Sequence, residues 1–182
     1  TIARRVIVFA TGPEVISGEI EDTNTPTIAA VLTGEGYRVT AGGPLDDDID
    51  TIAGVLRSAI EDRGFGIVIT TGGVGAETKD KTVEALEMLD TEASTPYLAK
   101  FEKGQGRHAK DGIRIGVAKM GDALLVALPG PNDEVVISIQ ALVEGLAAGE
   151  GKELLAERIV GVLRKRMSDF HRKQKHETRG HS

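Results

Sequence analysis

The 182-residue chain has no cysteine and no tryptophan, and aromatic residues make up only 3% of it. Without cysteine there can be neither a disulfide nor a thiolate metal site, and a reducing compartment suits such a chain. The shortage of aromatics leaves an aliphatic core and removes the stacking surface on which single-stranded nucleic acid is usually held. No apolar run approaches the ~20 residues of a membrane span, and no signal-peptide pattern opens the chain. The expectation is a soluble, cytoplasmic domain, begun at Thr1 after loss of an initiator Met.

What remains is ordinary for a globular protein: 40% apolar and 27% charged residues, enough chain for one domain with a sizeable core. Charge is uneven. Residues 164–182 carry seven Lys/Arg against two acids, a net of +5, while the other 163 residues carry 15 bases against 26 acids, a net of −11. Nucleic-acid binding asks for a basic face and this is a basic end, so a solvated or partly disordered tail is the expectation. His171, His176 and His181 recur every five residues in it. On a helix that spacing scatters them around the axis, so a metal site there would require a non-helical tail.

Taken in order, residues 4–11 (RRVIVFAT) read as a buried strand, and residues 14–24 as a loop with a helical turn. Thr25-Pro26 reads as an N-cap with proline at the first helical position, opening a helix with Ile28, Val31 and Leu32 on one face and Gly34 and Gly36 at its end. Residues 37–41 alternate as a second strand. Asp46, Asp47, Asp48 and Asp50 then open a helix whose Ile49, Ile52, Leu56 and Ile60 share a face. So many acids exceed what capping needs. Either a basic partner or a divalent cation lies nearby, or some point into solvent.

The central stretch is residues 66–86, GIVITTGGVGAETKDKTVEAL. Ile67, Val68 and Ile69 form the continuous β-branched run of a parallel strand covered on both faces. Thr70 and Thr71 lead into Gly72, Gly73 and Gly75, where backbone can turn sharply and aim N–H groups at phosphate or carboxylate oxygens. A tight strand-to-helix turn uses glycine in the same way, and the run matches neither common phosphate-loop pattern. Beyond it, Thr95-Pro96 reads as a short helical piece to about Phe101. Lys103, Arg107, His108 and Lys110 form a basic loop, suited either to solvent or to a phosphate at the mouth of a site. Residues 113–117 and 123–128 read as an edge hairpin. Residues 128–134 make a rigid turn into a helix carrying Val135, Val136, Ile139, Leu142, Val143 and Leu146, weakened near its end by Gly145. A last amphipathic helix uses Leu155, Ile159, Val162 and Leu163, with Met167 and Phe170 as its possible continuation before the end frays. The division is an α/β domain over residues 1–150 and a C-terminal helix with a basic tail over 151–182. Alternating strands and helices predict a three-layer, doubly wound fold with a mainly parallel sheet and an edge β-hairpin. Ligands of such sheets bind outside the carboxyl ends of the strands.

Four motifs in order then resemble the molybdopterin-binding domain shared by the MoaB/MogA proteins and the N-terminal part of CinA, over about residues 4–146. Gly12-x-Glu14-Val-Ile-x-Gly18-x-Ile-x-Asp22-Thr23-Asn24 is similar to the CinA opening motif. Asp47 and Ile52 fall where the family has an acid and an apolar residue at the second helix. Thr71-Gly72-Gly73-x-Gly75 with Asp80 and Thr82 is similar to the family's threonine-glycine-glycine signature. Leu128-Pro129-Gly130-Pro131 with Glu134 resembles the closing motif. The resemblance implies a pterin-phosphate or adenine-nucleotide ligand, Mg²⁺, and a homo-oligomer, the trimer favoured. It further implies either adenylyl transfer to molybdopterin or cleavage of an ADP-ribose-type pyrophosphate; the lack of a long apolar run sets the expectation of no membrane partner. Asp47 and Asp80 would be the catalytic and Mg²⁺-binding carboxylates. Thr71, Gly72, Gly73, Gly75, Thr82, Pro129, Gly130 and Glu134 would hold the ligand.

The departures are Ala76 and Asn132, where the family commonly has proline, and Lys79, where CinA-like members have an acid. They set this chain on a distinct branch whose substrate need not be molybdopterin. The rival reading is a non-catalytic carrier or regulatory domain. A retained Asp47/Asp80 pair favours chemistry, since two carboxylates do not help to bind an anion, and Lys79 favours binding alone.

Overall fold

The computed structural model describes residues 3–11, 21–72, 81–100 and 112–179. In chain order the elements are β1 (Arg5–Thr11), α1 (Asn24–Gly34), β2 (Arg38–Leu45), α2 (Ile49–Glu61), β3 (Ile67–Thr71), α3 (Lys81–Leu89), β4 (Tyr97–Lys100), β5 (Gly112–Arg114), β6 (Gly116–Met120), β7 (Ala123–Leu128), α4 (Asn132–Ala147) and α5 (Lys152–Arg179). The reading of residues 14–20, the Gly73–Asp80 loop and the basic loop at 103–110 lie outside the described residues. None of the helices among the described residues is long and apolar enough to cross a membrane.

The main sheet runs β2-β1-β3-β7-β6, and every pairing is parallel except the edge pair β6–β7. Helices cover both faces, as an all-apolar central strand demands. Alternate residues of the strands select the layers. Val6, Val8, Ile67, Ile69, Val126 and Leu128 pack with α1, α4 and α5. Ile7, Phe9, Val68, Leu125 and Ala127 pack with α2 and α3.

Several boundaries differ from the sequence reading for identifiable reasons. Helix α1 starts at Asn24, and Asp22 does the capping: its Oδ1 accepts from Asn24 N at 3.0 Å and Thr25 N at 3.2 Å. Pro26 thus falls in the first turn, where its missing N–H costs nothing. Strand β2 continues to Leu45, past a register shift opposite Val8 and Phe9. It is the sheet edge, where Pro44 is tolerated.

Residues 97–100 are strand and not helix. Tyr97 and Lys100 pair antiparallel with Arg114 and Gly112 in a separate two-stranded sheet. The run 113–117 is correspondingly divided, its first part in that small sheet and its second in the main one. Pairing with a strand distant in sequence decides the conformation here.

Gly145 is a contact residue. A Cβ at that position would lie 2.5 Å from Leu155 Cδ2 and 2.7 Å from Glu150 Oε2, so glycine is what lets α5 close against α4. Arg158 fixes the same junction, its Nε donating to Glu150 at 2.9 Å.

Helix α5 buries Leu155, Ile159, Val160 and Leu163, and then continues unbroken to Arg179. Arg, Lys and Gln are good helix formers, and a helix already nucleated against the core extends cheaply. His171 and His176 therefore sit on a helix at a spacing that separates them around its surface.

Candidate functional site at the carboxyl edge of the sheet

Four parallel strands end level with one another. Thr11 pairs with Leu45, Ala10 with Thr71, and Thr71 with Leu128. The segments after β1, β2, β3 and β7 are thereby brought to one edge. The chain leaves β1 toward β2 on one side and returns to β3 on the other, so the strand order reverses at β1/β3, where doubly wound sheets form their binding crevice.

The backbone there is locked. Thr11 Oγ1 donates to Thr71 O at 2.9 Å, and Gly72 N donates to Leu128 O at 3.0 Å. Gly72 has φ +84°, and a Cβ on it would lie 2.7 Å from Thr11 O. Both the dihedral and the space exclude a side chain. Gly130 packs against this turn, its Cβ direction 3.5 Å from Gly72 Cα, and Pro129 behind it is buried.

Two hydroxyls bracket the loop that follows. Thr70, the penultimate residue of β3, and Thr82, the second residue of α3, are each 1% exposed. Neither Oγ1 has a hydrogen-bond partner among the described residues. A buried hydroxyl without a partner costs about 1–3 kcal/mol, and one at the N-terminus of a helix lies where backbone N–H groups and the helix dipole favour an anion.

The acid run resolves into separate tasks. Asp48 caps α2, its Oδ2 accepting from Thr51 N at 2.9 Å and from Thr51 Oγ1 at 2.8 Å, and these bonds hold its carboxyl below the usual range. Asp47 meets Lys81, whose Nζ lies 2.9 Å from Oδ2 and donates to the Asp47 backbone oxygen at 2.7 Å. The basic partner that the acid run calls for is therefore present, and it ties the β2–α2 connection to the start of α3. Asp46 and Asp50 are exposed.

A further clamp joins the edge loops. Asn132 Nδ2 lies 3.0 Å from both Asn24 Oδ1 and Thr27 Oγ1 and 3.3 Å from Thr23 O, while Asn24 Nδ2 donates to Gly130 O at 2.7 Å. In the sequence Asn132 stands out only as a departure from the family pattern and Asn24 only as part of a motif. The signal was two amides, each with donor and acceptor, in segments bound for one edge.

Glu134 stands in the first turn of α4. It lines a groove of about 800 Å³ between α4 and α5, together with Asp133 and Arg166. Burial pushes its carboxyl above the usual range, and the negative Asp133 adds to this against the opposing Arg166. Asp133 itself is held low by its hydrogen bond from Arg166.

The described edge holds Thr71, Gly72, Pro129 and Gly130, with Asp47 joined to Lys81 beside Thr82 at the start of α3 and Glu134 in the first turn of α4. Gly73, Gly75 and Asp80 lie outside the described residues. The unpartnered hydroxyls are two donors without an acceptor among the described residues. The described residues hold no group of three His, Cys, Asp or Glu that could cage a metal. Asp47 has more than half of its side chain exposed but is paired with Lys81, so a Mg²⁺ arriving with phosphates and keeping most of its waters would share that carboxylate with the lysine.

Comparison with known proteins identifies this architecture. The sequence profile described as "Probable molybdopterin binding domain" matches residues 7–148, and the chain belongs to that family. It is 32% identical over 128 residues to a CinA-like protein of Thermomicrobium roseum, a match covering 69% of this chain and 31% of that one. It is 36% identical over 164 residues to a protein of Archaeoglobus fulgidus, covering 81% and 71%. The chain thus spans about a third of the CinA-like relative. Its fold is that of the molybdopterin biosynthesis enzyme MoaB of Thermus thermophilus, with a TM-score of 0.58 at 23% identity, covering 81% of this chain and 98% of that one.

Proposed function

We propose that the carboxyl edge binds the phosphate end of a pterin or adenine nucleotide and acts on a phosphoanhydride there. The observation that supports this most directly is the pair of buried, unpartnered hydroxyls of Thr70 and Thr82 on either side of the glycine loop. A phosphate oxygen would accept from Thr82 and from N–H groups of the first turn of α3, with Gly72, Gly73 and Gly75 admitting it by their lack of side chains. Thr71, Pro129 and Gly130 would form the wall against the pterin or base, and Glu134 its far rim. Asp47 and Asp80 would hold a Mg²⁺, which supplies charge neutralisation at the phosphate oxygens. The reaction is either adenylyl transfer to a pterin phosphate or cleavage of an ADP-ribose-type pyrophosphate. A cytoplasmic setting and a homo-oligomer, the trimer first, belong to this reading.

One observation favours a second reading, a carrier or regulatory domain without turnover. Lys81 already neutralises Asp47, so a ligand would meet a paired carboxylate at that position.

Calorimetric titration with molybdopterin, ATP, ADP-ribose and AMP, each with and without Mg²⁺ and followed by product analysis, separates the readings. Mg²⁺-dependent consumption that is lost in Asp47→Asn and Asp80→Asn supports the enzyme. Tight binding without product supports the carrier. Silence from all four ligands overturns both.

A further inference from the structure

Lys81 stands at the wrong end of its helix. It is the first residue of α3, and the N-terminus of a helix carries partial positive charge that disfavours a cation. Its side chain is also the more sheltered of its ion pair, 23% exposed against 56% for Asp47. An ammonium set against the dipole and largely out of water needs anions around it. Asp47 supplies one: Lys81 Nζ lies 2.9 Å from its Oδ2 and donates to its backbone oxygen at 2.7 Å. Both contacts are to a single residue, and an ammonium carries three N–H donors. At least one is left without an acceptor among the described residues. A pair that served only to tie the β2–α2 connection to α3 would be better placed in reverse, with the acid at the helix N-terminus.

The rest of the edge is acidic. In the loops entering α1, α2, α3 and α4 and the first turns of those helices, Lys81 is the one base among the described residues, while Glu21, Asp22, Asp46, Asp47, Asp133 and Glu134 are among the acids. Arg166 reaches the start of α4 from α5, but Asp133 takes it up. A phosphate approaching these segments is repelled by every charged group described in them except Lys81. Next to Lys81, in the same first turn, Thr82 holds its hydroxyl 1% exposed and without a partner.

We infer that Lys81 is a phosphate-binding residue of this edge: its ammonium, steadied by Asp47, donates to the phosphate that Thr82 and the start of α3 receive, and does so without Mg²⁺. The inference rests on the phosphate reading of the edge and adds the cation that lets an acidic edge take an anion. A lysine suits the task, since its ammonium is a compact charge on a flexible four-carbon stem and can turn a free donor to a phosphate while keeping Asp47. Asp47 is then the positioning residue for the ammonium through Oδ2.

Calorimetric titrations in EDTA with molybdopterin, ATP, ADP-ribose and AMP, and with adenosine as the phosphate-free control, test it. At least one of the phosphate ligands is expected to bind the wild type without Mg²⁺. Lys81→Met, which keeps most of the stem, should lower that affinity about tenfold, the loss of one hydrogen bond to a charged group, and should leave adenosine unaffected. Asp47→Asn should act in the opposite direction, because it removes a negative charge and frees the ammonium for the ligand, and the double variant should lose that gain. A mere tether would make the two single variants shift alike, since each breaks the same pair. Thermal melts check that the variants remain folded. Affinity unchanged in Lys81→Met, parallel shifts in the two single variants, or phosphate binding that occurs only with Mg²⁺ overturns the inference and leaves the phosphate reading standing. Silence from all four ligands, with Mg²⁺ as well as without, overturns that reading and the inference with it.

Discussion

Asn132 and Asn24 lie 108 residues apart in sequence, and their side-chain amides meet at 3.0 Å across the carboxyl edge of the sheet. Asn24 passes the connection on to Gly130 O. The turn after β7 and the start of α1 are therefore one unit, and Gly130, through its contact with Gly72, brings the glycine turn into it. At Asn132 the family's usual proline would leave this link unmade.

That clamp gives the first expectation. Asn132→Ala should lower stability by about 1–2 kcal/mol, because it leaves partly buried acceptors unpaired. Asn132→Pro should cost a similar amount, since proline is acceptable at the first helical position of α4 and the loss is that of the amide alone. Urea denaturation of the two variants measures this; a much larger loss in the proline variant would show backbone strain instead.

Gly72→Ala should destabilise by about 1–3 kcal/mol, combining the positive φ with a Cβ pressed against Thr11 O. Gly130→Ala, whose Cβ would sit at an ordinary contact distance, is the matched control. Thermal melts of the pair should separate them clearly.

Thr82→Val should separate fold from function. Replacing a buried hydroxyl without a partner by a methyl of the same shape should leave stability unchanged or raise it by about 1 kcal/mol. Affinity for the phosphate ligand should fall about tenfold, the loss of one hydrogen bond to a charged group. Parallel melts and calorimetric titrations read both quantities. Equal losses in stability and binding would mean that the hydroxyl serves the fold.

Asp90 and Lys152 predict a pH profile. Both side chains are largely buried, and Lys152 Nζ lies 2.9 Å from Asp90 Oδ2, which also accepts from Lys119 N at 2.9 Å. Burial acts to raise the Asp90 carboxyl, but the Lys152 hydrogen bond and the backbone donors outweigh it and hold it below the usual value. A carboxyl depressed on folding adds stability above its unfolded pKa and loses it as pH falls through the folded one. Lys152 is raised, chiefly by its hydrogen bond to Asp90, so its contribution is present below the usual lysine pKa and lost as pH rises through the folded one. Stability should therefore decline at both acidic and strongly alkaline pH, and Asp90→Asn should flatten the acid limb. At neutral pH the variant should cost on the order of 2 kcal/mol, as a charged hydrogen bond is lost. Denaturation midpoints across pH measure it.

Where a pattern is local and repeated, the chain declares its structure. The β-branched runs at Val6–Val8 and Ile67–Ile69, and the one-sided apolar spacing of Ile52 and Leu56, need no partner to be recognised. They determine a parallel sheet with helices on both faces, and so also which edge receives the loops. The glycine run was legible because it follows a β-branched strand directly, whereas the positive φ of Gly72 and its crowding against Thr11 O belong to the folded chain. The pairing of Tyr97 with Arg114 was not, because residues 95–100 carry no strong preference and the partner strand decides the outcome. Nor was the sharing of work among the aspartates, since only the approach of α3 gives Lys81 to Asp47 and leaves Asp48 as the cap. The Asn132 clamp and the exposed length of α5 belong with these. Period and composition suffice for elements that each bury an apolar face, but hydrogen bonds and ion pairs between distant residues depend on distances of a few ångströms, which exist only once the chain has folded.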